Sequence, residues 1–97
     1  MTINKELTII AEPSQNLYIK YTGSDHPTLW INGALNKQVS IKGLNFLPSN
    51  STTISTLNND GSLKLENVNL YKSTSTSTVN LSNGASFDVI SNVKIMD

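Results

Sequence analysis

Three six-residue stretches decide the fold: IKGLNF at residues 41–46, LENVNL at residues 65–70 and ISNVKI at residues 90–95. Each stretch reads aliphatic, polar, Gly or Asn, aliphatic, polar, apolar. The third positions are Gly43, Asn67 and Asn92, so the pattern recurs after 24 and then 25 residues. Recurrence at a fixed period of about 20–50 residues is typical of solenoids and other repeat architectures.

The apolar residues on the two sides of each third position are out of step by one residue. Val39 and Ile41 alternate with polar residues before it, and Leu44 and Phe46 do the same after it. Such alternation places side chains on one face of a strand. Both strands can face one core only if the chain bends between them, and Gly and Asn best tolerate the left-handed backbone of such a bend. We therefore predict two short strands joined by a one-residue corner at Gly43, Asn67 and Asn92.

A third strand is predicted around Leu57 and, one coil later, around Leu81. Three short strands per repeat predict an all-β fold: a single-stranded parallel β-helix of about 24 residues per coil and roughly four coils, in one domain over residues 1–97. Like residues of successive coils then stack into a core. The predicted columns are Val39, Leu63 and Phe87; Ile41, Leu65 and Ile90; Leu44, Val68 and Val93; Phe46, Leu70 and Ile95; and Leu57 with Leu81.

Two irregularities interrupt the repeat. The last coil has one extra residue between Phe87 and Ile90, which predicts a bulge. A weaker copy near the N-terminus, INKELTI, would place Leu7 opposite Leu44, and the 37 residues between these two exceed one period. The excess predicts an insertion around residues 12–27.

Composition narrows the possible functions. The net charge is zero, which argues against a nucleic-acid partner. Charged residues make up 14% of the chain, whereas Asn, Ser and Thr together supply 36 of its 97 residues. Cysteine is absent, so no disulfide or thiolate site is possible, and no apolar run approaches the length of a membrane-spanning helix.

The carboxylates form no predicted catalytic or metal cluster. In the 24-residue register no two of them stack in adjacent coils, and calcium usually requires more than one carboxylate ligand. The register instead places Lys42 beside Glu66 and Lys64 beside Asp88, which predicts ion pairs that favour correct stacking. We therefore expect no catalytic residue, no cofactor and no metal ion.

Aromatic residues and the single histidine offer weaker candidates. His26 lies in a turn, SDHP, and is expected to be a solvated loop residue, because chain neighbours such as Ser24 and Asp25 rarely converge as a catalytic triad does. Trp30 alternates with Leu29 and Ile31 and must point away from them. It could contribute to a sugar-binding platform with the tyrosines, but packing beneath the predicted insertion is favoured, since an exposed Trp is a liability.

The stretches INKELTII at residues 3–10, TLWING at residues 28–33 and VSIKGLNF at residues 39–46 resemble the right-handed parallel β-helix (pectate-lyase-like) superfamily. They are most similar to its adhesin-like and polymorphic surface-protein branch. The resemblance implies a right-handed coil. It does not imply an activity, because the superfamily includes polysaccharide lyases and hydrolases, phage tailspikes and adhesins, and a fold alone does not select among them.

The expected function is that of a non-catalytic structural or adhesive module of a microbial surface protein, which self-assembles end to end through its open coil edges. The alternative is a fragment of a carbohydrate-active β-helix protein whose active site lies outside this chain. The expected partners are further copies in an oligomer or filament and a carbohydrate or host-surface ligand, with no nucleic acid and no membrane insertion. The location would be extracellular as part of a longer protein, or cytoplasmic if these 97 residues are the natural chain.

Overall fold

The computed structural model describes residues 1–12, 15–33, 38–74, 77–82 and 84–97. Short strands dominate these residues, as the alternating pattern predicts. They are β1 (Thr2–Ile3), β2 (Leu7–Ile10), β3 (Tyr18–Ile19), β4 (Leu29–Ile31), β5 (Gln38–Lys42), β6 (Asn45–Phe46), β7 (Leu57–Asn59), β8 (Ser62–Tyr71), β9 (Val79–Leu81) and β10 (Ser86–Met96).

The strands form two sheets in which every described pairing is parallel. One sheet has the order β1-β4-β7-β9. In the other sheet β5 and β6 both pair with β8, β10 pairs with the opposite edge of β8, and β2 and β3 pair with β5 and β6. The chain therefore winds as a β-solenoid of about three turns, where the sequence suggested roughly four. The all-β solenoid prediction is confirmed, whereas handedness stays a prediction.

The three predicted corners all have a left-handed backbone. The φ angles are +85° at Gly43, +51° at Asn67 and +53° at Asn92. At Gly43 a second reason excludes a side chain, because an added Cβ would lie 2.5 Å from the carbonyl oxygen of Ala11. In β8 and β10 the strand runs on through the corner, so that its two halves pack against the same core.

The predicted register between β5, β8 and β10 is confirmed. Val39 lies opposite Leu63, which lies opposite Phe87, and the register shifts between Phe87 and Val89 at the predicted bulge. Beyond the bulge Ile90 lies opposite Leu65, so like residues do stack.

The predicted register of the first strand is wrong. Leu7 pairs with Val39 and Ile9 pairs with Ile41, so Leu7 lies before the corner and not opposite Leu44. The segment INKELTI therefore spans two strands, β1 and β2, and is not a copy of the corner motif.

The predicted column of Leu57 and Leu81 is also two residues out of register. Leu57 pairs with Val79, and Leu81 pairs with Asn59. Asn59 is fully buried and is held by hydrogen bonds, since its Nδ2 donates to the carbonyl oxygen of Ser86 at 3.0 Å and its Oδ1 accepts from the amide of Gly61 at 2.9 Å. These bonds offset the cost of burying a polar side chain.

The extra length of the first coil is divided between two places. One lies at residues 11–15, just before the first corner, and overlaps the start of the insertion predicted around residues 12–27. The other lies at residues 32–37, between β4 and β5, where the next coil has only residues 60–61 between its equivalent strands. The sequence did not indicate this second place, and parts of both lie outside the described residues.

The core is a set of aliphatic columns between the sheets. Nine predicted members are buried: Val39, Ile41, Leu44, Phe46, Leu57, Leu63, Leu65, Val68 and Leu70. The prediction is wrong for three residues of the last coil, because Ile90, Ile95 and Leu81 are 59%, 52% and 48% exposed. Phe87 and Val93 are partly buried against the core. No described coil covers the outer side of these five residues, which is why they retain contact with water.

Candidate functional site

The corner of the solenoid carries a stack of asparagines on its outer side. Asn16 has a φ of +49° and occupies the corner position of the first coil, since Tyr18 pairs with Asn45 just as Asn45 pairs with Asn69. The corner file therefore runs Asn16, Gly43, Asn67 and Asn92. Asn92 Nδ2 donates to Asn67 Oδ1 at 2.8 Å, which fixes the two amides relative to each other.

A second file lies beside the first, two residues further along each coil. Its members are Tyr18, Asn45, Asn69 and Lys94, which pair in register. Asn69 Nδ2 donates to Asn45 Oδ1 at 2.8 Å, and Asn45 Nδ2 donates to Leu17 O at 2.9 Å and to Asn16 Oδ1 at 3.2 Å. Amide ladders of this kind stabilise stacked parallel strands.

The two files enclose an open polar groove of about 370 Å³, which we call the amide groove. Asn45 forms its floor and is buried, Asn69 is half-buried, and Asn67 and Asn92 are exposed. The amide groove is lined by Asn16, Gly43, Asn45, Asn67, Asn69, Asn92 and Lys94.

Sequence reasoning identified Gly43, Asn67 and Asn92 as a bend but missed the amide groove. The signal was present, because Asn45 and Asn69 are 24 residues apart and recur in the same register as the corners. Asn16 carried no such signal, since the longer connection between β4 and β5 puts it 27 residues before Gly43 and so out of the 24-residue period.

An exposed tyrosine lies at the first-coil end of the amide groove. Asn16 Nδ2 is 3.4 Å from the Tyr18 hydroxyl, and the Tyr18 ring lies 6.0 Å from that of Tyr71, tilted by 53°. Hydrogen bonding to Tyr18 raises the pKa of Tyr71 above its ordinary value. The second file therefore begins with an aromatic face and continues with amides.

An aromatic row lies against the outer face of β4. The His26 ring is 5.3 Å from that of Trp30 and 5.7 Å from that of Tyr21. Trp30 is half-buried beneath this segment, as the packing interpretation predicts. His26 lies in a loop with 46% of its side chain exposed, as expected, and rings flank it on two sides. The row therefore attaches the loop before β4 to the solenoid.

Two aspartates accept hydrogen bonds from side chains of this aromatic row. Trp30 Nε1 donates to Asp60 Oδ2 at 3.0 Å, and the Ser82 hydroxyl donates to Asp60 Oδ1. The Tyr21 hydroxyl donates to Asp25, which lowers the pKa of Asp25 below its ordinary value and raises the pKa of Tyr21. Both aspartates therefore already accept hydrogen bonds from the protein.

One of the two predicted ion pairs is confirmed. Glu66 lies 3.9 Å from Lys42 Nζ, as predicted, and 3.2 Å from Lys64 Nζ in its own strand. The predicted pair of Lys64 with Asp88 is wrong, because the bulge puts Val89 opposite Lys64.

Asp88 takes other partners at the bulge. Gln38 Nε2 donates to it at 2.9 Å and the Ser86 hydroxyl at 2.8 Å. These hydrogen bonds, chiefly that from Gln38, lower the pKa of Asp88 below its ordinary value.

Among the described residues, no group of three or more His, Asp or Glu side chains is placed to hold a metal ion. In the same part of the chain no helix is long and apolar enough to cross a membrane. Comparison of the sequence with known protein families, with curated proteins and with solved structures finds no match.

Proposed function

We propose that the chain is a non-catalytic structural and adhesive module of an extracellular surface protein, extended by end-to-end stacking with further copies of itself. One observation carries this proposal: the aliphatic columns run through to both ends of the solenoid, where their last members are exposed beside open strand edges. The low charge and the abundance of Asn, Ser and Thr fit a polar extracellular surface.

The end formed by the last coil exposes apolar side chains of the core columns. Ile90 and Ile95 belong to the same columns as the buried Leu65 and Leu70, yet both are more than half exposed. The backbone of β10 pairs with β8 on one side, and no described strand pairs with its other side. Eleven residues of strand edge are therefore open to a partner.

The end formed by the first coil offers the matching surface. Leu7 and Leu17 lie in inward-facing register positions, opposite Val39 and next to the corner respectively, and both are exposed. In the described residues β2 and β3 pair on one side with β5 and β6. The first and last coils thus present opposite edges of the same parallel sheet.

Head-to-tail stacking follows from this arrangement. A parallel sheet is extended by joining one of its edges to the opposite edge of another copy, and such contacts repeat without closing. The corner backbone also matches across the join, because Asn16 and Asn92 both have a positive φ. The contact would cover the exposed ends of the columns and pair the open edges at once.

Light scattering after size-exclusion chromatography tests the proposal. We expect the molecular mass to rise with protein concentration and negative-stain images to contain filaments one solenoid wide. Ile95→Lys places a charge in the exposed column and is expected to keep the chain monomeric. Ser91→Lys is the matched control, because Ser91 is an exposed residue of the same strand that lies outside the columns. A monomeric native chain at every concentration would contradict the proposal.

A further inference from the structure

We infer that the amide groove is a binding site for a neutral polysaccharide chain that lies along the solenoid axis. This inference goes beyond the proposed structural role and does not depend on stacking. It rests on the hydrogen-bonding capacity left in the two amide files, on their spacing and on the charge of the groove.

The ladder amides retain free hydrogen-bonding groups. An asparagine side chain offers two N–H groups and an oxygen with two lone pairs. The bond between Asn92 and Asn67 uses one N–H group of Asn92 and one lone pair of Asn67. Both side chains are exposed, so their remaining donors and acceptors face the groove and the solvent. The same side chains can therefore donate to one hydroxyl group and accept from another.

The ladder also fixes the orientation of these amides before a ligand arrives. Asn69 is tied to Asn45, and Asn45 is tied to Asn16 and to the backbone of Leu17. A side chain held in this way loses little rotamer freedom on binding, and such pre-organisation favours affinity. An isolated surface asparagine would lack this advantage.

The spacing of the files matches a chain of sugar rings. Neighbouring parallel strands lie about 4.8 Å apart, so the four rungs from Asn16 to Asn92 span roughly 14 Å. A pyranose chain repeats its ring hydroxyls at a similar interval. Tyr18 adds an exposed aromatic ring at one end of this path, where it can stack on the apolar face of a sugar.

The small charge of the amide groove favours a neutral ligand over an acidic one. Lys94 is the single charged residue among the described residues that line the amide groove, and none of these carries a carboxylate. A nucleic acid or an acidic polysaccharide gains affinity from several cations along its path, which this groove lacks. A ligand that both donates and accepts hydrogen bonds without net charge fits the amides best.

The experiment is an NMR titration of the side-chain amide signals with neutral hexasaccharides of β-1,4-linked glucose, α-1,4-linked glucose and β-1,4-linked N-acetylglucosamine. We expect saturable shifts for at least one of them, confined to Asn16, Asn45, Asn67, Asn69 and Asn92. The titration is run on the Ile95→Lys chain as well, so that loss of stacking and loss of binding are read separately. An oligogalacturonate of equal length serves as the acidic competitor and is expected to bind at least about tenfold more weakly.

Variants distinguish the amide groove from other surfaces. The double variant Asn67→Gly/Asn92→Gly keeps a backbone that accepts a positive φ and removes two amides, and we expect at least about tenfold weaker binding. Asn80→Ser is the control, because Asn80 belongs to a separate ladder in which its Nδ2 donates to Asn58 Oδ1. Absence of saturable shifts with all three neutral hexasaccharides, or undiminished binding by the double variant, would overturn the inference.

Discussion

The middle coil and the last coil carry the same kinds of residue at matching positions but differ in what covers them. Leu65 and Ile90 lie in one column, yet Leu65 is 1% exposed and Ile90 is 59% exposed. The difference does not come from the local strand, since both residues point inward in the same sheet. Burial in this molecule is supplied by the neighbouring coil, and stability therefore resides in the contacts between coils.

The largest predicted effect compares two truncations in that column. Leu65→Ala removes a side chain enclosed on both sides, and we expect it to lower the free energy of unfolding by about 2–5 kcal/mol. Ile90→Ala removes a side chain that is largely in water already, and we expect a loss below about 1 kcal/mol. Urea denaturation at low protein concentration measures both values. Equal losses for the two variants would mean that the last coil is as well covered as the middle one.

A second pair compares the corner at Gly43 with a turn of the last coil. Gly43 and Gly84 both have a positive φ, near +85° and +86°. Alanine is strained by about 1–2 kcal/mol at either position. Gly43→Ala also drives its Cβ against the Ala11 carbonyl, whereas a Cβ added at Gly84 has no described residue within 4 Å apart from its chain neighbours.

The expected result is that Gly43→Ala destabilises the protein by at least about 1 kcal/mol more than Gly84→Ala does. Thermal and urea unfolding of both variants provide the measurement. If Gly84→Ala proved the more damaging change, the close approach of Ala11 to the corner at Gly43 would be incorrect.

A smaller effect is expected from the ion pairs that link neighbouring coils. Glu66→Gln removes the contacts with Lys42 and Lys64, all of them partly exposed, so the predicted loss is no more than about 1 kcal/mol. Salt should reduce this difference, because it screens surface charges. Asp97→Asn is the control, since Asp97 is almost fully exposed where it faces Lys72. A loss for Glu66→Gln that does not respond to salt would contradict an electrostatic cause.

The smallest expected effect is on how the free energy of unfolding depends on acidic pH, and it comes from Asp88 at the bulge in the last coil. Hydrogen bonds from Gln38 and Ser86 lower the pKa of Asp88 in the folded chain. As the pH falls, Asp88 takes up its proton in the unfolded chain before it does so in the folded chain. Its contribution to the free energy of unfolding is therefore complete above about pH 4, and it is lost as the pH falls through the lower pKa of the folded chain. Unfolding measured down to acidic pH should therefore have a shallower pH dependence in Asp88→Asn than in the native chain. Identical slopes would mean that Asp88 is not held by Gln38.

Sequence reasoning succeeded where a residue type was tied to one backbone conformation. Asn67 and Asn92 identified the corners because few other residues adopt a positive φ at low cost. The extra residue after Phe87 identified the bulge, because the strands on both sides kept their register. The 24-residue recurrence then placed most of the core.

The register errors have a physical cause in the period of a strand. Side chains alternate every two residues, so a slip by two leaves the same pattern facing inward. Leu57 was matched with Leu81 for this reason, whereas Val79 is its partner. Leu7 was misplaced because alternation before a corner looks like alternation after it. The exposure of Ile90 was missed, although open coil edges were predicted, because a strand pattern alone does not indicate whether another coil lies above it.

The most direct test of in-register stacked coils is a methyl NOE experiment on the native chain. Neighbouring parallel strands lie about 4.8 Å apart, well within range of the method. The structure predicts contacts from Leu65 to both Ile41 and Ile90, and between Val68 and Val93. Observation of all three would establish that positions about one coil apart lie over one another. Their absence, or chemical shifts typical of α-helix through residues 62–71, would contradict the stacked-coil structure.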